Sequence, residues 1–296
     1  MGFQGEIAAI GAAIVWALAT WIYSQFSHRF SALQLNIIKG IIASLMMLVV
    51  LPIETQLDFT IAKEHLFILA LSGIIGIAIG DSAYFASLKR IGANKTLLLE
   101  SLAPPLSGVL AIVALGATLS LQSWLGVAIT TLAVTFVIFQ PNENNSRMSW
   151  SGVGFGLLAS ICQASGVVIS HYALVAGDLP PLLGALIRLS VGVIAVMVVI
   201  KFVEKSPFRA MKQHLQELKS NAFLWLLGAI FVGTFLALWL QQISLKYANP
   251  AVAQTLIATS PLFMLIIYVF KGQRVSGKSI IGTVAAVGGI SLFFIH

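Results

Sequence analysis

The sequence predicts an all-α membrane protein with ten transmembrane helices arranged as two inverted five-helix repeats. Three observations predict it. Of 296 residues, 58% are hydrophobic and only 9% charged, where a soluble domain carries roughly 25% charged residues. The apolar residues fall into runs long enough to cross a hydrocarbon core of about 30 Å. The runs then divide into two sets of five that resemble each other.

The mean hydropathy of +0.97 leaves too little polar surface to cover a water-facing globule, so lipid must be the solvent for most of the chain. Inside lipid the backbone polar groups have to pair within their own segment, which makes the long apolar runs helices. The expected spans cover about residues 5–24, 32–51, 66–88, 95–115, 122–139, 151–172, 181–200, 222–245, 250–270 and 277–295. Trp21, Tyr23, Trp124, Trp150, Trp225, Tyr247 and Tyr268 mark span ends, where aromatic rings favour the lipid–water interface. The first residues carry no Lys/Arg-rich leader, so the first run reads as a retained span.

The polar stretch from Gln140 to Ser149 separates a first repeat, 1–140, from a second, 151–296, with 141–150 as linker. Lys201 to Asn221 reads as an amphipathic loop on the membrane surface. SLKRIGAN (Ser87–Asn94) recurs as SLKYAN (Ser244–Asn249), and Pro105 recurs as Pro261 in mid-helix. Gly116 and Gly126 recur as Gly272 and Gly282, and Lys39 as Arg188. An odd number of spans per half turns the second copy upside down, an architecture of secondary transporters.

A formal charge of +7 raises nucleic acid as a partner, but the basic residues sit in short loops, where they act as topology signals. Counting helices puts thirteen on one side: Arg29, Lys89, Arg90, Lys95, Arg147, Lys201, Lys205, Arg209, Lys212, Lys219, Lys271, Arg274 and Lys278. Lys63 and Lys246 fall on the other, with both termini. The positive-inside rule makes the thirteen cytoplasmic and both termini external, in the plasma (cell inner) membrane. The sequons at Asn94 and Asn144 then lie in cytoplasmic loops and carry no glycan. The one cysteine, Cys162, excludes an internal disulfide framework and a Cys-rich metal site. No HExxH is present, and the reading assigns no metal and no cofactor.

Four charged residues lie inside expected spans: Lys39, Asp81, Glu100 and Arg188. Such residues are costly in lipid and face a bundle interior or a cavity. At 1.5 Å per residue, Lys39 and Asp81 lie roughly 10 Å and Glu100 roughly 8 Å in from the basic side, so Lys39 can bridge the two carboxylates. Arg188 lies at similar depth from the opposite side, where the nearest polar groups are the amides Gln163, Gln241, Gln242 and Gln254. The carboxylate layer would bind a cationic group or a coupling proton, and Arg188 a substrate carboxylate or phosphate. The alternative is a structural ion-pair cluster that fixes helix packing. Trp16, Tyr84, Gln163, Trp239 and Gln254 are the further candidates to line a cavity. Pro105 and Pro261 are candidate hinges, since a mid-helix proline frees a carbonyl and kinks the helix. Gly76 and Gly80, and Gly152, Gly156 and Ser160, form small-residue stripes for close helix contact.

Gly272–Ser279 (GQRVSGKS) fits the Walker A spacing, but a P-loop follows a β-strand in a soluble nucleotide fold, and here spans flank it. Ser165 and His171 stand six residues apart on one helix, too far around it for a catalytic dyad, so an intramembrane serine protease is the weaker class.

The chain resembles the drug/metabolite transporter superfamily, specifically proteins with two EamA domains, over nearly its whole length. The resemblance rests on the five-plus-five layout, on Val15–Ala17, on GDSAYFASLKRIGANKTLLLESLAPPL (Gly80–Leu106) and on ALWLQQISLKYANPAVAQTLIATSPLF (Ala237–Phe263). The family's turn after the fourth and ninth helices looks here like Leu115-Gly116-Ala117 and Lys271-Gly272-Gln273, without the family's glutamate. The resemblance implies a carrier working by alternating access, with helices 1–4 and 6–9 around a central cavity and helices 5 and 10 peripheral. Many members are described with both termini in the cytoplasm, the reverse of the charge count. Family substrates include amino acids, other metabolites, nucleotide sugars and toxic organic compounds, usually exported or exchanged. The leading reading is a secondary transporter of a small metabolite, with an amino acid or related compound as the first guess and export as the direction. A membrane sensor or scaffold on the same frame is the alternative, and either a monomer or a homodimer accommodates the architecture.

Overall fold

An apolar sequence of this kind has no choice but to pair its backbone locally, and every described element is helical. The computed structural model describes residues 3–54, 62–107, 121–138, 149–248, 250–273 and 275–294. Most of the linker, the fourth span beyond Ser107 and the Leu115-Gly116-Ala117 turn lie outside them.

The elements are α1 (Gln4–Phe26), α2 (Ala32–Glu54), α3 (Lys63–Gly73), a π-helical stretch (Ile74–Asp81), α4 (Ser82–Glu100) and α5 (Leu121–Ile138). They continue with α6 (Trp150–Ala176), α7 (Pro181–Val203), α8 (Pro207–Gln216), α9 (Ser220–Ile230) and a second π stretch (Phe231–Leu236). The last are α10 (Ala237–Tyr247), α11 (Pro250–Ile257), α12 (Ser260–Phe270) and α13 (Gly277–Phe294).

Among the described residues, seven helical stretches are long and apolar enough to cross a membrane, where the sequence reading counts ten spans. One of the seven, Lys63–Glu100, is 38 residues long and takes in the expected third span and the start of the fourth. It changes direction at Gly92, whose φ of 79° belongs to the left-handed region that glycine enters without steric cost. The expected fifth and tenth spans coincide with α5 and α13, each of 18 residues.

Small residues set the packing. A Cβ on Gly233 would stand 1.9 Å from the Cβ of Ala19, and one on Gly166 would stand 3.1 Å from the Cα of Gly76. Backbones that close hold helices together by dispersion, as in bilayers generally. Helix α1 packs on α10, α4 on α6, α2 on α7, and α5 on α13. The α5–α13 pair lies apart from the large central cluster of Tyr23, Phe30, Leu35, Met47, Phe85 and Leu189.

The two π stretches are wide turns that leave carbonyls free for other donors. Asn36 Nδ2 donates to the Ile77 carbonyl at 2.8 Å and to Ser82 Oγ at 2.9 Å. The Tyr23 hydroxyl pairs with Thr234 Oγ1 at 2.7 Å in the second stretch. The outer faces are apolar: Phe202, Phe270 and Ile53 are more than 80% exposed, as side chains that face lipid tails must be.

The stretch read as an amphipathic loop contains α8, which opens on Pro207 in its first turn. Phe208 and Met211 pack against the core, while Arg209 and Lys212 do not. Gln34 Nε2 donates to Glu204 Oε2 at 3.0 Å and ties this segment to α2.

Candidate functional site: a cavity at two interrupted helices

Helix α4 stops at Glu100, Ser101 and Leu102 form a turn, and a new helix covers residues 103–107. Helix α11 stops at Ile257, Ala258 and Thr259 form a turn, and α12 begins at Ser260. Each restart carries a proline at its second position, Pro104 in the first case and Pro261 in the second. A proline fits there because the first helical turn has no intrahelical partner for its N–H. Pro261 therefore does not kink a continuous helix: it starts the second half of an interrupted one. Pro105, expected to be its match, follows one residue later, and Pro104 holds the matching place.

The interruptions meet. Ser101 Oγ donates to the Ala258 carbonyl at 3.3 Å, and Ser107 Oγ donates to Gln254 Oε1 at 3.0 Å. Beside them lies a cavity with about 610 Å³ of open space, counted to its mouth. Its walls come from α1 (Ala12, Trp16), the α4 break (Leu97 to Pro104), α6 (Gln163, Val167), α10 (Leu238, Gln241) and the α11–α12 break (Gln254, Ile257, Pro261). The lining is mostly apolar with a few convergent polar groups, the usual character of a small-molecule site. Glu100 is the one charged side chain among the lining residues. Its Oε2 accepts from the indole Nε1 of Trp16 at 3.0 Å.

A smaller hollow lies on the other side of Trp16, lined by Thr20, Tyr23, Lys39, Asp81, Tyr84, Phe85 and Gly233. Lys39 and Asp81 form a buried ion pair, and the Lys39 ammonium also sits over the Phe85 ring, 5.3 Å from its centroid. The Tyr84 hydroxyl pairs with Thr20 Oγ1 at 2.5 Å, and its ring leans on that of Trp16 with centroids 5.8 Å apart. Trp16 lines both spaces and is the partition between them.

The candidates thus divide. Trp16, Glu100, Gln163, Gln254 and Pro261 share the cavity, and Lys39, Asp81 and Tyr84 share the hollow behind it. Lys39 pairs with Asp81, while the hydrogen bond to Glu100 comes from Trp16. Trp239 stacks at a tilt on Phe235, 5.7 Å between centroids, and does not line the cavity.

Arg188 also lies outside the cavity. It is 2% exposed, and neither its Nε nor its Nη1 has a hydrogen-bond partner. A Cβ on Gly76 would stand 3.2 Å from its Nη2, so the guanidinium rests against the π stretch after α3. The amides suggested for it are engaged elsewhere or free: Gln242 Oε1 accepts from Ser170 Oγ at 2.9 Å. Sequence reasoning did not select Ser101, Gln241 or Ser260 as cavity residues. Their signal was available, since each is a polar group in an apolar span next to a selected residue.

Ser165 and His171 do not meet. Ser165 Oγ donates to its own helix at Ile161, and His171 Nδ1 pairs with the Leu245 carbonyl at 2.8 Å. The Walker-like stretch follows α12 and opens α13, with no strand beside it among the described residues.

Comparison with known proteins agrees with the membrane fold. The model of the EamA-like transporter family matches residues 3–139 and again 150–295. A protein of Archaeoglobus fulgidus described as an uncharacterized transporter is 25% identical over 293 residues, covering 98% of this chain and 97% of that one. A solved crystal structure of a protein superimposes with a TM-score of 0.71 at 15% identity, over 99% of this chain and 96% of that one; at that identity the likeness speaks for fold alone. With two family matches spanning almost every residue, and apolar helices fit to cross a bilayer, this integral multi-pass membrane protein belongs to the EamA-like transporter family, within the drug/metabolite transporter superfamily.

Proposed function

We propose that the protein is a secondary transporter that exports a small metabolite carrying an amino group, such as an amino acid or a related compound. The observation that carries this reading is the cavity at the crossing of two interrupted helices, with Glu100 as its one charged wall. Discontinuous helices near the midplane are where secondary carriers place substrate and coupling ions. A carboxylate faced by an indole and amides suits a substrate ammonium or a coupling proton. Lys39, Asp81 and Tyr84 act behind it as the support that fixes Trp16. Gln163 and Gln254 supply hydrogen bonds to the substrate, with Trp239 behind α10. Pro261 and the Pro104–Pro105 pair are the hinges.

Arg188 is the second charged group we assign to the transport cycle. Its vacant N–H groups suit a carboxylate or phosphate, reached as the helices rearrange. Alternating access follows from ten spans in two inverted five-helix repeats, 1–140 and 151–296, joined by 141–150. The matched interruptions, the two π stretches and the double family match support that symmetry. The thirteen basic loop residues favour cytoplasmic loops and external termini in the plasma membrane.

The test is uptake into liposomes from a pool of amino acids and related metabolites, with and without a pH gradient, read by mass spectrometry. Saturable transport that falls more than tenfold in Glu100→Gln supports the reading. Wild-type rates in Glu100→Gln and Arg188→Gln would remove both assignments. No flux from folded, inserted protein would move the weight to a sensor built on the transporter frame. Cysteine labelling at either terminus from one side of intact cells tests the orientation.

A further inference from the structure

A second space opens at the opposite character of surface, where the C-terminal end of α1 meets the N-terminal end of α9. About 770 Å³ of open groove is lined by Trp21, Ile22, Gln25, Phe26, Arg29, Leu218, Ala222 and Trp225. Its floor is apolar: Ile22 and Phe26 are buried, and Trp225 stands 58% exposed at its edge. Two indoles at one level are the mark of a lipid–water interface. Its rim is cationic. Arg29 lines it directly and is exposed. The Lys271 ammonium, exposed after α12, sits over the Trp21 ring at 4.7 Å from its centroid, which brings a second positive charge to the same wall. Lys219 follows Leu218 at the entrance.

No carboxylate lines this groove. The acids closest along the chain are Glu217, which accepts from Gln213 at 3.0 Å, and Glu204, which accepts from Gln34. A furrow with apolar walls, interfacial indoles and unopposed cations at one end has the form of a phospholipid: acyl chain below, headgroup above. Attraction between basic residues and an anionic leaflet is worth about 1 kcal/mol per Lys or Arg, so a clustered pair discriminates between headgroups of different charge.

We propose that this groove is a binding site for an anionic phospholipid, whose acyl chain lies along Ile22, Phe26, Leu218 and Trp225 and whose phosphate is held by Arg29 and Lys271. The site is separate from the transport cavity, which shares none of its lining residues. It joins α1 to α9 and to the end of α12, so an occupying lipid braces α1, the helix that carries Trp16, against the second half of the chain.

Native mass spectrometry of delipidated protein tests the site, with dioleoyl phosphatidylglycerol and dioleoyl phosphatidylcholine added in turn. The expected result is retention of phosphatidylglycerol over phosphatidylcholine by about tenfold. Arg29→Gln with Lys271→Gln removes most of that preference, and Ala222→Trp, which fills the groove, lowers retention of both lipids. Lys205→Gln with Lys212→Gln removes the same charge from the same face outside the groove and leaves the preference intact. Thermal unfolding of each variant in detergent confirms that it is folded, and a conservative Arg29→Lys keeps the preference if folding of the glutamine variant fails. Three results would overturn the proposal. Phosphatidylcholine held as well as phosphatidylglycerol means acyl packing without headgroup selection. An equal loss in the Lys205/Lys212 variant means diffuse charge. A dimer peak abolished by Ala222→Trp means that a second copy of the chain covers the groove.

Discussion

Trp16 Nε1 donates to Glu100 Oε2 across 3.0 Å, joining α1 to the last residue of α4 at the cavity wall. The indole is a donor with no charge and no acceptor capacity. It orients the carboxylate without neutralising it. Lys39 cannot serve both acids, since its ammonium is paired with Asp81. The counter-charge for Glu100 is therefore left to a proton or a ligand.

Glu100→Gln keeps the shape and the indole hydrogen bond but removes the charge. Transport is expected to fall more than tenfold with the thermal unfolding midpoint little changed. Trp16→Phe keeps a ring and removes the donor. A hydrogen bond to a charged group is worth about 1.5–3 kcal/mol, so uptake should fall about tenfold. Equal loss of folding and transport in both variants would make the pair structural only.

Asp81→Asn leaves Lys39 buried without its partner. Breaking a buried pair in this way costs about 3–5 kcal/mol, whereas replacing both members with apolar residues is often neutral. Thermal unfolding should show a large loss in Asp81→Asn and recovery of most of it in Lys39→Met with Asp81→Leu. If the double variant is as unstable as the single one, the pair is not what holds α2 to this part of the chain.

Arg188 makes the opposite expectation. Its Nε and Nη1 lack partners, so its burial is a cost rather than a support. Arg188→Met is expected to unfold at the same temperature as the parent or higher, while uptake of substrates bearing a carboxylate is lost. A sharp drop in unfolding temperature would give Arg188 a structural role.

Gly233 tests the close approach of α1. A Cβ there would stand 1.9 Å from that of Ala19, and overpacking of this kind costs about 1–3 kcal/mol. Gly233→Ala should unfold earlier, and adding Ala19→Gly should restore most of the loss. Additive destabilisation in the pair would mean that the two residues do not oppose each other.

At the loop between α6 and α7, Lys246 Nζ lies 2.9 Å from Asp178 Oδ1 and donates to the Leu179 carbonyl at 3.0 Å. The hydrogen bond and charge of Lys246 hold the Asp178 carboxyl below its ordinary 3.8. A lowered carboxyl supports the fold at higher pH and gives that support up only as pH falls below 3.8 through the native value. An Asp178 carboxyl carbon signal should titrate below 3.8 and return toward it in Lys246→Met. A midpoint unmoved by that substitution refutes the contact.

The membrane fold was legible because composition and run length report on solvent directly. Cavity residues such as Gln163 and Gln254 were legible because a polar side chain in an apolar run has few other uses. Depth along a helix was readable at 1.5 Å per residue, and it set Lys39, Asp81 and Glu100 at one level. It could not give the angle around each helix, and that angle separates Glu100 from the Lys39–Asp81 pair. The break at Ser101–Leu102 had a signal in Pro104–Pro105, read one residue too far along. The π stretches had none: Ile74–Asp81 and Phe231–Leu236 are ordinary apolar helix by composition, and only their neighbours, Asn36 and Thr234, receive what the wide turns leave open.

A π stretch is a helix holding more residues than its length requires. Ile74–Asp81 therefore stores chain that an α-helix of equal rise would not contain, and removing one residue from it would leave a sequence still able to form a helix. Each residue turns an α-helix by about 100°. Such a deletion would carry every later side chain of the rod, Asp81 and Tyr84 included, about a quarter-turn away from α1 and α2. The chain thus tolerates many substitutions along this span but almost no change in its length, a constraint that a comparison of residue types alone does not reveal.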